Sequence, residues 1–116
     1  MVKRRDIERV GTIARSLPDV EEVTSPRGTG FKVRGKLLAC EAIHKSAEPN
    51  SLMVRIAIDD RELLLGVDPE TYYLTDHYCS YPAILVRLSR IDRKALRKLL
   101  EDASQFVTVG RRRSRS

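Results

Sequence analysis

Tryptophan is absent from this 116-residue chain, and other aromatic residues are few, with four tyrosines and two phenylalanines. No apolar run approaches the ~18 residues that a membrane-spanning helix needs. The first ten residues, MVKRRDIERV, carry charges where a secretory signal peptide would be apolar. We therefore expect a cytoplasmic protein that makes no membrane contact.

Cysteine is also scarce. With only Cys40 and Cys79 and no export signal, reduced thiols are expected rather than a disulfide framework. The sequence also lacks a glycine-rich phosphate loop, a paired-carboxylate site and a common metal motif. These absences argue against an enzyme, and no cofactor or metal is predicted.

Length and the distribution of charge indicate the domain organisation and the class of partner. The chain fits one domain with a single core, which we place at residues 1–108. Residues 1–86 carry 12 Lys/Arg against 13 Asp/Glu, whereas residues 87–116 carry 10 against 3. Residues 109–116 form a basic tail that is predicted to be disordered. Its Arg111, Arg112 and Arg113 are candidate contacts to a polyanion such as nucleic acid.

Two amphipathic helices are predicted at the ends of the folded part. Apolar residues recur at helical spacing up to Leu17, and Pro18 stops their continuation, so the first helix spans residues 4–16. Asp92 is the N-cap of the last helix. The buried stripe of that helix consists of Leu96, Leu99, Leu100 and Ala103.

The segments between these helices are predicted to be mainly strands, because their apolar residues alternate or lie between turn signals. In chain order the strands are residues 20–24, FKVR, KLLACEAIH, LMVRIAI, YYLT and AILVRL. The second and third strands form a tight hairpin at Gly35. Asp59 and Glu62 form a capping box that predicts a short helix, which Gly66 ends.

This order of elements predicts an α+β fold, in which an antiparallel sheet carries the N- and C-terminal helices on one face. The covered face would bear Val33, Val54, Ile56, Val86 and Leu88. The opposite face would be open and would carry the cations Lys32, Arg34, Arg55 and Arg87. Met53 and Leu85 share this face, so partial cover by a loop is the alternative. These four cations are the predicted nucleic-acid-binding residues of the folded part.

The stretch TDHYCSYP, residues 75–82, concentrates chemically versatile side chains. His77 and Cys79, together with Cys40 and His44, make a zinc site conceivable, but their spacing matches no common zinc motif. A nucleophilic Cys79, with His77 as its base and Asp76 as its orienting group, has no identifiable oxyanion hole. Neither chemistry is predicted.

The favoured interpretation of this stretch is a structural brace. Tyr78 and Tyr81 offer apolar rings with a polar tip, and Pro82 fixes the backbone ahead of the last strand. The same side chains are able to stack on bases or bond phosphates. His77, Tyr78 and Tyr81 are therefore also a candidate contact loop, and the sequence leaves both roles open.

Several segments, SLPDVEEVTS, FKVRGKLLA, VDPETYYLT, HYCSYPAILVRL and DRKALRKLLEDA, resemble the MmcQ/YjbR family of small bacterial proteins. The resemblance runs from Ile7 to Val107 and implies a CyaY-like α+β fold and a DNA-binding role. The loop SPRGTGF departs from the family pattern.

The related frataxins bind iron through an acidic first helix. Here that helix carries five Lys/Arg against Asp6 and Glu8, so no iron site is predicted.

The sequence therefore predicts a DNA-binding protein whose contacts are non-specific and dominated by phosphates. The alternative is a protein-interaction or small-ligand-binding module, in which Met53, Leu85 and the tyrosines dock a partner. A monomer is expected because no heptad or unused apolar helix face is evident.

Overall fold

The computed structural model describes residues 2–109. Its helices are α1 (Arg4–Arg15), α2 (Ile58–Val67), α3 (Asp76–Cys79) and α4 (Arg93–Val109). Its strands are β1 (Val20–Ser25), β2 (Gly28–Val33), β3 (Lys36–Glu41), β4 (Ser51–Arg55), β5 (Tyr72–Tyr73) and β6 (Ala83–Arg87). The strands form one antiparallel sheet in the order β1-β2-β3-β4-β6-β5. Within residues 2–109, the helices are too short or too polar for any of them to cross a membrane.

The main core lies between the sheet and the two terminal helices, which confirms the predicted α+β fold. α1 contributes Val10 and Ile13, and α4 contributes Leu96 and Leu100, all fully buried. The strands supply Phe31, Leu52, Val54, Ile84 and Val86. Each buried apolar side chain of this size stabilises the fold by about 1.5–3 kcal/mol, so this layer contributes most of the hydrophobic stabilisation.

Two local predictions are also confirmed. The Oδ1 atom of Asp92 accepts a hydrogen bond from the Ala95 N–H at 2.8 Å, so Asp92 caps α4. Arg34 and Gly35 have φ angles of 53° and 80°, and their neighbours Val33 and Lys36 pair across the hairpin. Positive φ at both central residues is typical of the two-residue turns that suit the strand twist, and glycine adopts it without strain.

The capping box predicted at Asp59 and Glu62 is wrong. α2 begins at Ile58, two residues before the start that an Asp59 N-cap implies, and its N-cap Ala57 makes no side-chain capping bond. Ile58 therefore belongs to the helix rather than to the preceding strand, which ends at Arg55. The N–H of Ile56 donates to the carbonyl of Pro82, which extends the β4–β6 register by one residue. The ladder stops there because Pro82 has no N–H to donate in return.

The second sheet face, opposite the terminal helices, is not open at its centre, and the alternative of partial cover by a loop is confirmed there. A second apolar cluster covers it, formed by Ala42, Met53, Tyr78, Ala83 and Leu85. α3 lies over the cluster, and the loop of residues 42–50 contributes Ala42 and Ala47 to it. The period of a strand shows which residues share a face, but it does not show which loop folds over that face.

Candidate functional site

The four predicted cations of the sheet do not form one row. Lys32 and Arg55 lie on the second face, half-buried, and within residues 2–109 neither forms an ion pair. Arg34 instead occupies the exposed hairpin turn, where its Nε lies 3.1 Å from the Oδ2 atom of Asp19. The predicted Arg111, Arg112 and Arg113 lie outside the described residues.

Arg87 lies on the second face, but its guanidinium is occupied. Its Nε and Nη2 donate to the two carboxylate oxygens of Glu48 at 2.8 and 2.7 Å, and its Nη1 donates to the carbonyls of Pro69 and Glu70. The guanidinium carbon also lies 4.3 Å from the ring centroid of Tyr73. The bonded carboxylate raises the pKa of Arg87, and Arg87 lowers the pKa of Glu48. A group bonded on all sides in this way holds structure and has little left to offer a phosphate.

The candidate contact loop forms an aromatic cluster with a residue that was not assigned to it. His77 stacks on His44, and the rings of Tyr78 and Tyr81 meet His77 edge-on at 4.8 and 6.0 Å. Tyr78 is buried in the second apolar cluster, burial raises its pKa, and its hydroxyl accepts the N–H of His44. Tyr78 therefore supports the fold, whereas Tyr81 (50% exposed) and His77 stay accessible.

Arg61 is the residue that the sequence analysis missed. Its side chain is buried, and its Nη1 donates to the carbonyls of Tyr81 at 2.8 Å, Cys79 at 3.3 Å and Ala83 at 3.4 Å. One guanidinium thus ties residues 79–83 to α2. One feature of the sequence could have predicted its burial. Arg61 precedes Leu64 and Leu65 by three and four residues, and both pack against the main core, so Arg61 lies on the buried side of α2.

We expect slow amide exchange across the segment of residues 78–83. The N–H groups of Tyr78 and Cys79 both donate to the carbonyl of Thr75, and those of Tyr81 and Ala83 are also bonded. In hydrogen exchange followed by NMR, these amides should exchange at least tenfold more slowly than those of the first turn of α2, which lack intrahelical partners. Rapid exchange throughout the segment would contradict its role as a brace.

The residues considered for a metal do not converge. His44 and His77 present their flat faces to each other, the Sγ of Cys79 points to the carbonyl of Asp76, and Cys40 is a half-buried thiol whose pKa is raised by burial. Among residues 2–109, no three His, Cys, Asp or Glu side chains are placed to hold one ion.

Positive charge is concentrated on the terminal helices. Residues 3–15 and 90–102, which contain α1 and most of α4, carry ten Lys/Arg against five Asp/Glu, a net charge of +5. Residues 16–89, which include the whole sheet, carry eight against eleven, a net charge of −3. The helix layer is therefore the positive side of the folded part and the sheet layer is its negative side.

α1 and α4 run side by side in the same direction. The guanidinium of Arg9 donates to the carbonyls of Leu88 and Ile91, just before α4 begins. One to two turns further along both helices, Arg97 donates to the hydroxyl of Ser16. The seam between the helices is thus fixed at two points.

Four cations border this seam, and we call them the helix-seam patch: Arg5, Arg93, Lys94 and Arg97. Arg5 precedes Arg9 by four residues and Arg93 precedes Arg97 by four, so each pair lies on one side of its helix. In the described part of the chain, none of the four forms an ion pair. The first turn of α4 contains no acidic residue, so its cations add to the positive end of the helix dipole.

Comparison with known proteins gives no function. No protein-family model matches the chain. Uncharacterized proteins of Mycobacterium bovis and of two Mycobacterium tuberculosis strains are 33% identical to it over 61 residues. The match covers 50% of this chain and 47% of each relative, so the chain spans about half the length of the curated relatives it matches.

One solved structure has a similar fold. It is the crystal structure of a Deinococcus radiodurans protein with a DUF419 domain, and it superposes with a TM-score of 0.70 over 93% of this chain and 83% of that one. The two sequences are 18% identical. At this identity the likeness shows the α+β fold alone.

Proposed function

We propose that the chain binds nucleic acid non-specifically through the helix-seam patch. The observation that carries this proposal is the separation of charge, with +5 on residues 3–15 and 90–102, which contain α1 and most of α4, and −3 on residues 16–89. A polyanion approaching the molecule is attracted by the helix layer and repelled by the sheet layer. The site therefore differs from the sheet face that the sequence favoured.

The chemistry of the patch suits phosphates. Guanidinium groups donate in pairs to phosphate oxygens, and Arg5, Arg93 and Arg97 have no competing carboxylate within the described residues. Cations in a first helical turn are unfavourable for the helix by a few tenths of a kcal/mol, and a phosphate bound to the side chains of Arg93 and Lys94 would lower that cost.

Binding of this kind carries little sequence information. Both helices are packed on the sheet, so neither is free to enter a groove as a recognition helix. The patch contains no asparagine or glutamine that could read a base edge. Contacts to phosphates fix position without reading sequence, so we infer a weak preference among duplexes.

Other cations supplement the patch. Arg111, Arg112 and Arg113 follow α4 directly in the sequence, and we propose that they add non-specific phosphate contacts. Lys32 and Arg55 form no ion pair with any residue from 2 to 109, and they lie on the second face, on the other side of the sheet from the helices. They are a minor surface in this proposal, and Arg34 and Arg87 have structural partners instead.

We also propose that the chain belongs to the MmcQ/YjbR family. The sequence motifs carry the resemblance, and the similar fold of the DUF419 domain supports it, because DUF419 denotes that family. A DNA-binding role is what the family resemblance implies, and the charge separation supports it independently.

A comparison of two charge-reversal variants tests the location of the site. R93E/R97E and K32E/R55E change the net charge by the same amount, one on the helix seam and one on the second face. We expect R93E/R97E to weaken binding of a labelled duplex by about tenfold or more at low salt, and K32E/R55E to weaken it only a few-fold. Thermal unfolding of each variant should confirm that the fold is retained.

Equal losses in both variants would place the site elsewhere, since net charge alone would then explain the effect. A wild-type chain that binds no duplex at low salt would refute the proposal.

A protein partner is the second candidate, but not through the residues first predicted. Met53 and Leu85 are buried in the second apolar cluster and are unable to dock anything. α2 instead exposes Leu63 and Val67, at 65% and 69%, one turn apart on its outer side. That pair of apolar residues is the observation that favours an interaction module.

A further inference from the structure

The two histidines of the chain form a stacked pair. The rings of His44 and His77 are 3.6 Å apart between centroids and 5° from parallel. His44 belongs to the loop of residues 42–50 and His77 belongs to α3, so the pair joins the two segments over the second sheet face. Tyr78 contacts both rings edge-on and lies beneath them in the second apolar cluster.

Hydrogen bonds fix the protonation state of His44. The N–H of Ser46 donates to the Nδ1 of His44 at 3.0 Å, so Nδ1 carries a lone pair and the neutral ring holds its proton on Nε2. The hydroxyl of Ser46 lies 2.8 Å from the same Nδ1 and 2.8 Å from the Oγ1 of Thr75, just before α3. Protonation of Nδ1 would break the Ser46 N–H bond.

We propose that this pair is an acid-released latch, which holds residues 43–47 against α3 while both imidazoles are neutral and releases them when one ring takes up a proton. While both imidazole rings are neutral, no charge repulsion opposes their stacking at 3.6 Å. A proton taken up at the Nδ1 of His44 loses the Ser46 bond, and a charge on both rings would place like charges in contact.

The charged groups around the pair set the direction of the response. Burial, the neighbouring His77 and the adjacent Lys45 lower the pKa of His44 below its ordinary value of 6.5. Asp76 on α3 is the nearest anion in sequence to His77. Burial raises the pKa values of Tyr78 and Cys40, so both are neutral near pH 6.

The sign of the pH effect follows from the lowered pKa. Because folding keeps His44 neutral, the latch contributes its full stability above about pH 6.5, the ordinary histidine value. That contribution is lost progressively as the pH falls below this value. The free loop then carries added positive charge.

The release is confined by the neighbouring contacts. The N–H of Ala42 donates to the carbonyl of Ser51 at one end of the loop, and the ion pair of Glu48 with Arg87 holds the other end. The segment that moves also lines a cleft of about 1060 Å³ between the loop, α1 and the β1–β2 turn. Release therefore changes the shape of that cleft without unfolding the sheet.

The test is an NMR titration of the full chain from pH 7.5 to 4.5. His44 should titrate below pH 6.5, and the protection of amides 43–47, corrected for intrinsic exchange rates, should fall roughly tenfold per pH unit, as for uptake of one proton. The amides of Leu52 and Val54 in the central strand β4 should stay protected over the same range and serve as the internal control.

The variant H44F/H77F keeps two flat rings and removes both imidazoles, so its loop protection should not change between pH 7.5 and 5. Loop protection in the wild-type chain that is unchanged down to pH 5 would overturn the proposal. The same pH step in H44F/H77F as in the wild type would also overturn it, because another group would then be responsible. Neither outcome depends on nucleic-acid binding.

Discussion

Replacement of Arg61 by methionine should lower the free energy of unfolding by about 3 kcal/mol. Methionine retains most of the buried stem but leaves the carbonyls of Cys79, Tyr81 and Ala83 without their shared donor. An unsatisfied buried carbonyl costs about 1–3 kcal/mol, and the Tyr81 bond, at 2.8 Å, contributes most. Urea denaturation at 25 °C followed by circular dichroism measures the change.

Two control variants separate the brace from simple loss of charge. Glu62→Gln removes the exposed carboxylate that accepts from the Nε of Arg61, and it should change stability by less than about 0.5 kcal/mol. Arg61→Lys keeps the positive charge but loses the planar fork, so we expect it to recover only part of the stability. An Arg61→Met variant as stable as the wild type would show that the segment of residues 79–83 is held by its own contacts.

The affinity of residues 1–109 for duplex DNA should fall on the order of 100-fold between 50 and 200 mM salt. The helix-seam patch offers about four phosphate contacts, and each contributes about −0.9 to the slope of log affinity against log salt concentration. The full chain should bind more tightly and show a steeper slope, because GRRRSRS adds four arginines. Fluorescence anisotropy with a labelled duplex at three salt concentrations gives both slopes.

Two unrelated duplex sequences of equal length provide the control for this titration. Their affinities should agree within a few-fold, since phosphate contacts do not read sequence. If residues 1–109 bind nothing at 50 mM salt while the full chain binds, the basic tail alone is responsible. The folded part is then better explained as an interaction module that uses α2.

Local sequence signals predicted the elements of the fold but not everything that covers them. The terminal helices follow from apolar spacing with Pro18 and Asp92 as their boundaries, and the β2–β3 turn follows from Gly35. All three depend on residues within about four positions of one another. Whether a strand face stays open depends on a loop elsewhere in the chain, which is why the sequence did not decide whether Met53 and Leu85 are covered.

The same limit applies to the residues of the candidate site, because their contacts join segments that are far apart in the sequence. The sequence predicts Arg87 to be an unpaired surface cation. Its partner Glu48 is 39 residues away, so no local pattern reveals the ion pair. Arg61 donates to backbone carbonyls 18 to 22 residues further along the chain. Every residue has such a carbonyl, so residue types do not show which carbonyls a side chain will bond. The cations of α1 and α4 were visible as residue types, but their meeting along one seam depends on the parallel packing of two helices from opposite ends of the chain.

The unequal charges of the helix layer and the sheet layer give the folded part an electric dipole moment that crosses the sheet. In the field of a long polyanion, such a dipole turns the molecule before any atoms touch. Encounters in which α1 and α4 face the polyanion are favoured, and encounters in which the sheet side faces it are disfavoured by charge repulsion. The association rate constant with nucleic acid therefore depends on the orientation reached during diffusion, and added salt slows association by shortening the distance over which that turning begins.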